Sequence, residues 1–328
     1  MPSPSTSGRP RVFVARRIPE DGLAPIRDAC DEVVWTGELP PSRSELLAAV
    51  AGCDGILTML TDRVDDELLD AAGSGLRVVS NFAVGVDNVD LAACAARGVA
   101  VGNTPGVLTE TSADLAFALI LAAARRLPEG DRLVRSGGWR TWDPLLLLGR
   151  DVHGATLGIV GFGRIGQAVA RRALGFDMTV LYSNRSAVAD DIAGPLRAQR
   201  VDLDDLLARS DFVSLNVSLT AETRHLIDGD RLARMKPTAV LVNTSRGPVV
   251  DQQALYEALH HGVIGGAALD VTDPEPIAAD DPLLGLENCL VVPHIASGSH
   301  ATRGRMAAMA AANLLAGVSG RPLPTPVA

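Results

Sequence analysis

Lysine is almost missing from this chain of 328 residues: Lys236 is the only one, and arginine supplies nearly all the positive charge. Chemistry that needs a lysine amine, such as Schiff-base formation, would therefore have to use that one residue. The formal net charge is −9. Because such a surface repels a phosphate backbone and no basic stripe offsets it, we expect no nucleic acid partner.

Cysteine is scarce and scattered. The four cysteines, Cys30, Cys53, Cys94 and Cys289, are far apart and form no CxxC pair. This spacing argues against a disulfide framework and against a zinc site, and it favours a reducing compartment. The histidines also lack metal-ligand spacing, so we expect no bound metal.

Long apolar runs are missing too. The longest, around residues 113–124, is too short for a transmembrane helix, which needs about 20 apolar residues. The N-terminal MPSPSTSGRP is polar and lacks the apolar core of a signal peptide, so we expect a frayed tail there. These features predict a soluble, cytoplasmic protein with no membrane partner.

Apolar residues are nevertheless plentiful, at 47% of the chain, and the length suggests two domains. Short β-type runs alternate with alanine- and leucine-rich helical segments, which is the pattern of parallel α/β sheets. The first series of predicted strands is 11–15, 31–35, 55–59, 76–80 and 99–101, and the second is 156–160, 179–182, 212–216, 239–243, 266–271 and 289–292. Predicted helices include one that begins with a capping box, Ser42 to Glu45, a long one at 109–137 and a terminal one at 301–315. We predict two doubly wound parallel-sheet domains with a cleft between them, the terminal helix returning to the first.

A glycine-rich loop begins the second series. Gly161, Gly163 and Gly166, separated by Phe162, Arg164 and Ile165, form G-x-G-x-x-G directly after an apolar strand and directly before a predicted helix at 167–174. That context suits a dinucleotide. The first glycine permits the tight turn, the second lets the pyrophosphate approach and the third lets helix and strand pack closely. The N–H groups of the helix N-terminus then face the phosphates.

The next predicted strand is followed by Asn184 and Arg185, about 20 residues beyond the loop, where an acidic residue would hold the ribose 2′-hydroxyl of NAD(H). Asn184 carries no charge to repel a 2′-phosphate, and Arg185 could pair with one in a bidentate way. We therefore expect NADP(H) to be preferred or at least accepted, with NAD(H) possible.

Three polar residues follow predicted strands of the second series: Arg246, Glu275 and His294. Because ligands of open α/β sheets bind beyond the carboxyl ends of strands, we expect these side chains to converge. A guanidinium can hold the carboxylate and carbonyl of a 2-keto acid, and an imidazolium can protonate the oxygen as a hydride arrives. A carboxylate beside the imidazole favours its charged form and fixes its tautomer.

The chain resembles the D-2-hydroxyacid dehydrogenase family, and within it the glyoxylate/hydroxypyruvate reductases. The resembling segments are VGVDNVDL (84–91), GNTPGVLTETSADLAFALIL (102–121), GGWRTW (137–142), GIVGFGRIGQAVA (158–170), NTSRGPVVD (243–251), ALDVTDPEP (268–276) and VVPHIASG (291–298). They are distributed along the chain from residue 84 to residue 298, and the last four are highly specific.

The resemblance implies roles for particular residues. Arg246 would bind the substrate carboxylate and carbonyl, His294 would be the acid/base and Glu275 its partner. The backbone N–H groups of Val84 and Gly85 would also receive the carboxylate. Further cofactor-contacting positions implied by the resemblance are Thr109, Thr244, Ser245 and Asp270.

The resemblance also implies an architecture. A flavodoxin-like substrate-binding domain would be split across both termini, at 1–104 plus 296–328, with a Rossmann NAD(P)-binding domain at 105–295. Family members are usually homodimers joined through the nucleotide domains. A tryptophan matching Trp142 can reach the partner's site in the reductases, although a packed position in a dimer arm is an equally good interpretation.

Other functions remain open on the sequence. Phosphite or phosphoglycerate oxidation would use the same scaffold, although phosphoglycerate enzymes often carry an extra C-terminal domain and this sequence ends at Ala328. A formate enzyme would have glutamine in place of Glu275. A nucleotide-sensing corepressor-like protein would carry long flanking tails, which this chain lacks. Side chains such as Met59 and Leu60 can be guessed to line the pocket, but they do not identify the keto acid.

Overall fold

The computed structural model describes residues 8–327. Residues 1–7, where the sequence predicts a frayed tail, lie outside the described part, as does residue 328. The described chain forms two compact units. One comprises the residues up to Leu108 together with those from Gly298 onward, and the other is Thr109–Ser297.

The first unit contains a five-stranded parallel sheet. Its strands are β1 (Arg11–Val14), β2 (Asp31–Val34), β3 (Gly55–Thr58), β4 (Val78–Asn81) and β5 (Ala100–Gly102). They lie in the order β2-β1-β3-β4-β5, which is the order of flavodoxin-like folds. All residues of β3 and β4 are buried, as expected for inner parallel strands that are covered on both faces.

Five helices cover this sheet: α1 (Glu20–Ala29), α2 (Arg43–Val50), α3 (Asp66–Ala72), α4 (Leu91–Ala96) and, from the far end of the chain, α12 (His300–Val318). The predicted capping box at Ser42 and Glu45 is present at the start of α2. Helix α12 packs against α1, β3 and β4. A Cβ at Gly22 in α1 would lie only 2.3 Å from the carbonyl oxygen of Ala307, so glycine permits this close approach.

The second unit contains a seven-stranded parallel sheet. Its strands are β6 (Thr156–Val160), β7 (Thr179–Ser183), β8 (Ala198–Arg200), β9 (Phe212–Leu215), β10 (Val240–Asn243), β11 (Gly266–Leu269) and β12 (Cys289–Val291). Their order is β12-β11-β10-β9-β6-β7-β8. The chain runs outward in one direction from β6 to β8 and in the other from β9 to β12, so the topological switch point lies between β6 and β9.

The helices of this unit are α5 (Thr109–Ala124), α6 (Leu127–Arg135), α7 (Arg164–Leu174), α8 (Asp190–Ala193), α9 (Leu203–Arg209), α10 (Gly229–Leu232) and α11 (Gln252–His260), with 3-10 turns at Gly247–Val249 and Pro282–Gly285. In residues 8–327 we find no helix of the length and apolarity that crossing a bilayer requires.

Two local predictions were wrong. The long helix predicted at 109–137 is two helices, because Arg126 takes a left-handed conformation with φ of 53° and ends the helical path between α5 and α6. Strand β8 was missed because it is a short edge strand whose residues, Ala198–Arg200, are mostly exposed and lack the apolar run used to find the others. The fold class itself, two parallel-sheet α/β domains, is confirmed.

Candidate active site

Three neighbouring strands of the second sheet end in the predicted catalytic segments. Strand β10 leads to Arg246, β11 leads to Asp270 and the loop that carries Glu275, and β12 leads to His294. Because β10, β11 and β12 are adjacent and parallel, their carboxyl ends lie at the same edge of the sheet. The structure thus brings the three predicted segments to one edge.

His294 and Glu275 form a close pair. The imidazole Nδ1 lies 2.5 Å from Oε1 of Glu275, and the two side chains are 22% and 31% exposed. A carboxylate at this distance accepts a hydrogen bond from Nδ1–H, which leaves Nε2 as the nitrogen that can exchange a proton with another molecule. The pair therefore has the geometry of an oriented general acid/base.

The turn that carries His294 is fastened to Asp270. His294 has φ of 50°, an unusual value for a residue other than glycine. Its N–H donates to the backbone oxygen of Asp270 at 2.9 Å. The carboxylate of Asp270 accepts the next two N–H groups, from Ile295 at 2.6 Å and Ala296 at 2.9 Å. These three bonds hold the turn in its left-handed form.

Asp270 is 1% exposed, and this burial raises the pKa of its carboxyl above the ordinary range, although the two backbone N–H donors act in the opposite direction. The resemblance had suggested only a cofactor contact for Asp270, so its bonds to the histidine turn were missed. A sequence signal was available, since an acidic residue directly after a strand of buried residues needs hydrogen-bond partners close by.

Arg246 lies in a tightly built loop after β10. Its Nη1 donates to the carbonyl of Ser245 at 2.9 Å, and Asn243 Nδ2 donates to the carbonyl of Arg246 at 2.9 Å. Ser245 in turn donates to Asn243 Oδ1 through its N–H and its hydroxyl. A Cβ at Gly247 would lie 1.9 Å from the carbonyl oxygen of Thr272, so only glycine fits between these two loops. The guanidinium therefore projects from a constrained backbone.

The glycine loop has the three properties that a dinucleotide needs. Gly161 has φ of 89°, and a Cβ there would lie 2.6 Å from the backbone oxygen of Asn216. Gly163 is exposed with no atom within 4 Å of its Cβ position, so a ligand can approach its backbone. A Cβ at Gly166 would lie 2.3 Å from the carbonyl oxygen of Gly161, which explains the close packing of α7 on the turn.

The other residues predicted to contact the cofactor are also suited to a dinucleotide. Gly163 caps α7, whose first residues are Arg164, exposed, and Ile165, half-buried, so the helix N–H groups are presented at this turn. The hydroxyl of Thr244 is buried and has no hydrogen-bond partner within the described part of the chain. Thr109 is the first residue of α5, in the same unit. These residues suit a nicotinamide dinucleotide.

The loop after β7 is held from two sides. The side-chain oxygen of Asn184 accepts the N–H of Phe162 in the glycine loop at 3.4 Å. Arg200, on the unpredicted strand β8, donates through Nη2 to the carbonyls of Asn184 at 3.1 Å and Arg185 at 3.2 Å. Arg185 itself is exposed. Asn184 and Arg185, which the sequence predicts to lie near a 2′-phosphate, are thus on a loop that contacts the glycine turn.

Not every predicted site residue lies in the second unit. Val84 and Gly85 follow β4 of the first unit, in the loop that begins at Phe82. The only lysine lies elsewhere: Lys236 Nζ is 2.7 Å from Oδ1 of Asp211, which precedes β9 at the amino edge of the second sheet. Since His294 lies at the carboxyl edge of that sheet, Lys236 takes no part in the candidate site. No cluster of three or more acidic, histidine or cysteine side chains suited to a metal is found among residues 8–327.

Comparison with known proteins gives consistent matches. The NAD binding domain of the D-isomer specific 2-hydroxyacid dehydrogenases matches residues 117–296. Glyoxylate reductase from Korarchaeum cryptofilum (strain OPF8) is 55% identical over 309 residues, covering 94% of this chain and 92% of the relative. The TT0316 protein from Thermus thermophilus superposes with a TM-score of 0.91 at 48% identity, covering 97% of this chain and 100% of the other.

A further solved structure is the NADPH-dependent glyoxylate/hydroxypyruvate reductase from Sinorhizobium meliloti, in complex with NADP and malonate. It superposes with a TM-score of 0.82 at 34% identity, covering 98% of this chain and 97% of the other.

The glycine loop beside a topological switch point, with an acid/base pair at neighbouring strand ends, defines a nicotinamide-dependent oxidoreductase. The chain belongs to the D-isomer specific 2-hydroxyacid dehydrogenase family. The family resemblance, the enzyme class and the nicotinamide cofactor predicted from the sequence are therefore confirmed.

Proposed function

We propose that this enzyme reduces a small 2-keto acid of the glyoxylate/hydroxypyruvate type to the D-2-hydroxy acid. The observation that carries the proposal is the His294–Glu275 pair, with 2.5 Å between Nδ1 and Oε1, at the same sheet edge as Arg246. The names of the relatives, which are reductases of these acids, support the same substrate class.

The cofactor is held by the glycine loop and its neighbours, and when bound it supplies the hydride for the carbonyl carbon. The residues that we assign to its binding are Thr109, Gly161, Gly163, Arg164, Ile165, Gly166, Asn184, Arg185, Thr244, Ser245 and Asp270. The open approach to Gly163 and the buried hydroxyl of Thr244 support this assignment.

The remaining chemistry belongs to side chains and backbone. Arg246 binds the carboxylate and orients the adjacent carbonyl, and the N–H groups of Val84 and Gly85 also receive the carboxylate. His294 donates a proton from Nε2 to the carbonyl oxygen as negative charge develops there. Glu275 accepts the hydrogen bond from Nδ1–H and thereby fixes the tautomer and the orientation of the ring. Asp270 keeps the histidine turn in place.

NADPH is the preferred reductant in this proposal. Asn184 places a neutral amide, not a carboxylate, at the end of β7, and Arg185 follows it on an exposed loop. Arg200 adds a second guanidinium to the same loop. A 2′-phosphate therefore meets positive charge and no carboxylate at residue 184.

The decisive experiment is a panel of 2-keto acids assayed with NADPH and with NADH by the loss of nicotinamide absorbance. Glyoxylate and hydroxypyruvate with NADPH should give the highest kcat/KM. Phosphite and phosphoglycerate with the oxidised cofactors test the alternative dehydrogenases, and faster oxidation of either would overturn the proposal. Binding of cofactor without turnover of any compound would favour a nucleotide-sensing protein.

The assembly that we propose is a homodimer joined through the second unit. Large apolar side chains are exposed between residues 127 and 148: Leu127, Val134, Trp139, Trp142, Leu145, Leu146 and Leu148. Helix α6 itself buries none of its residues. So many exposed large apolar side chains within one segment are typical of a protein–protein interface. A cavity of about 690 Å³ lies beside the same segment, at the amino ends of β10, β11 and β12, and could receive part of a second copy.

Light scattering during size-exclusion chromatography tests the assembly. The wild type should elute as a dimer, and Leu145→Arg with Leu148→Arg should shift it to the monomer, because two charges cannot be buried without partners. Trp142→Ala sharpens the test. Loss of activity without loss of the dimer would favour a tryptophan that reaches the partner's site, whereas dissociation would favour a packed position. The cytoplasmic location stays a prediction from cysteine usage.

A further inference from the structure

The loop after β4 has an unusual set of hydrogen bonds: three consecutive carbonyl groups each accept one, two of them from residues 103 and 104 and the third from the last residue of β4. The carbonyl of Ala83 accepts the N–H of Thr104 at 2.9 Å. The carbonyl of Val84 accepts Nδ2 of Asn103 at 2.7 Å. The carbonyl of Gly85 accepts Nδ2 of Asn81 at 2.9 Å. The orientation of three successive peptide groups is thereby fixed.

Peptide planarity links these carbonyls to the N–H groups that follow them. In a trans peptide, the C=O of one residue and the N–H of the next lie in one plane and point in opposite directions. The carbonyl of Ala83 thus fixes the N–H of Val84, and the carbonyl of Val84 fixes the N–H of Gly85. Within residues 8–327, no hydrogen bond uses either of these two N–H groups. Both are directed away from the segments that hold the carbonyls.

Asn103 is itself held by the last part of the chain. Its backbone oxygen accepts Nδ2 of Asn313 at 3.0 Å and the hydroxyl of Thr325 at 2.7 Å. Its N–H donates to the backbone oxygen of Thr325 at 3.3 Å. Asn313 is fully buried in α12, and its Oδ1 also accepts the N–H of Thr325 at 3.0 Å. The amide that holds Val84 therefore projects from a backbone with three bonds of its own.

We propose that Asn103 is a positioning residue for the substrate carboxylate: its amide holds the Val84–Gly85 peptide so that the N–H of Gly85 faces the anion. This inference rests on the proposed function, in which these N–H groups receive the carboxylate. Asn103 is the best residue for a test because its side chain is only half-buried. Asn81, by contrast, is fully buried and also bonds to Thr58 and Asn88, so its replacement would disturb more than one loop.

The experiment compares Asn103→Leu, which keeps the approximate size but cannot donate, with the wild type. The KM for the best keto acid should rise roughly five- to tenfold, since a carboxylate N–H bond is weakened without removal of any reacting group. The value of kcat should change less than twofold, and the Kd for NADPH should not change. The methyl ester of the same acid should be affected less, because a neutral acceptor depends less on an oriented N–H.

Trp35→Phe is the matched control, because it removes one side-chain donor to a backbone carbonyl, Nε1 to Leu39 O at 2.8 Å, elsewhere in the same unit. It should leave the KM unchanged. Should Asn103→Leu lose its circular dichroism signature, Asn103→Ser carries the same prediction, since its hydroxyl is too short to replace the amide.

An unchanged KM in the folded variant, or an equal rise for acid and ester, would overturn the positioning role while leaving the proposed function intact. Failure of the wild type to reduce any keto acid would instead remove the proposed function.

Discussion

The two sheets have the same kind of amino edge and very different carboxyl edges. At the amino edge of the first sheet, Asp54 accepts the N–H of Arg11 at 2.9 Å, and its Oδ1 lies 3.6 Å from Nη2 of Arg77. At the amino edge of the second, Asp211 accepts the N–H of Thr156 at 2.9 Å and pairs with Lys236. In both units an aspartate binds the N–H of the first residue of a strand and has a cationic partner.

At the carboxyl edges the resemblance ends. In the first unit, the loops after β3 and β4 are joined by the amides of Asn81 and Asn88, which bond to each other and to backbone oxygens of Met59, Asp62 and Gly85. In the second unit, the loops after β10, β11 and β12 carry charged and titratable groups: Arg246, Asp270, Glu275 and His294. Amides that orient backbone groups therefore characterise the first edge, and the second carries the residues to which we assign the acid–base chemistry.

The largest effect should come from replacing His294, the acid/base candidate at the carboxyl edge of the second sheet. His294→Ala should lower kcat by about 10²- to 10⁴-fold, the usual contribution of a general acid, while the Kd for NADPH stays within about twofold. Stopped-flow turnover and fluorescence titration of the cofactor measure the two quantities. His153→Ala is the control, since that histidine is exposed and pairs only with Asp177 among the described residues. A kcat within tenfold of the wild type would reject the proton-donor role.

Arg246→Ala should come next, with kcat/KM for keto acids lowered about 100-fold, because a charged, oriented hydrogen-bond donor is lost. Steady-state kinetics across the substrate panel measures this. Arg209→Ala removes an exposed arginine that pairs with Asp205 one helical turn away and should have no effect. This loss should exceed that of Asn103→Leu, because one variant removes a charge and the other an orienting amide. A larger loss in Asn103→Leu than in Arg246→Ala would mean that the loop after β4 contributes more to carboxylate binding than the guanidinium does.

Asn184→Asp should produce a smaller effect, confined to the cofactor. A carboxylate at this position repels a 2′-phosphate and can hold a ribose hydroxyl, so the ratio of kcat/KM for NADPH to that for NADH should fall about tenfold or more. Asn184→Ala, which adds no charge, should change the ratio less. An identical ratio in the wild type and the aspartate variant would show that the loop after β7 does not select the cofactor.

The smallest effect should arise at the amino edge. Burial alone would raise the pKa of Asp211, but the Lys236 ammonium and the N–H of Thr156 lower it below its ordinary value. A carboxyl with a depressed folded-state pKa adds stability above its unfolded pKa, and that stability is lost as the pH falls through the folded pKa. The pair is about one-third exposed, so we expect a modest contribution.

Lys236→Met should therefore lower Tm by about 1–2 °C near neutral pH, corresponding to about 0.5 kcal/mol. The difference from the wild type should disappear in acid, below the folded pKa of Asp211. Lys236→Arg should retain most of the stability, and kcat/KM should be unchanged in both variants. Loss of turnover in Lys236→Met, in a protein that remains folded, would place the lysine in the chemistry and contradict its separation from the carboxyl edge. Differential scanning fluorimetry across pH, with a parallel assay, measures both.

Much of the second unit could be predicted from local sequence. The glycine loop was identified because its spacing follows local requirements of the backbone. The structure shows them as a positive φ at Gly161, open approach at Gly163 and close helix packing at Gly166. Strand positions were found to within one or two residues because buried parallel strands are apolar runs. Strand β8 and the break between helices at Arg126 were not predicted, since neither has a local apolar or glycine signal.

The carboxyl-edge chemistry was only partly visible in advance. Arg246, Glu275 and His294 were found because charged groups after apolar strands suggest chemistry by their type alone. The bonds from Asp270 to the histidine turn were not found, because they join residues 25 and 26 positions apart in the sequence. Whether these residues meet depends on where β11 and β12 end.

The sequence by itself determined the alternation of strands and helices, the nucleotide loop and the choice of candidate catalytic side chains, because each depends on neighbours along the chain. Only the tertiary structure decided that Asp270 fastens the turn of His294, and that Asn103 holds Val84 while Thr325, 222 residues further on, holds Asn103. A backbone N–H is the same group at every position, so its direction can be assigned a purpose only when the partners that fix its peptide plane are known.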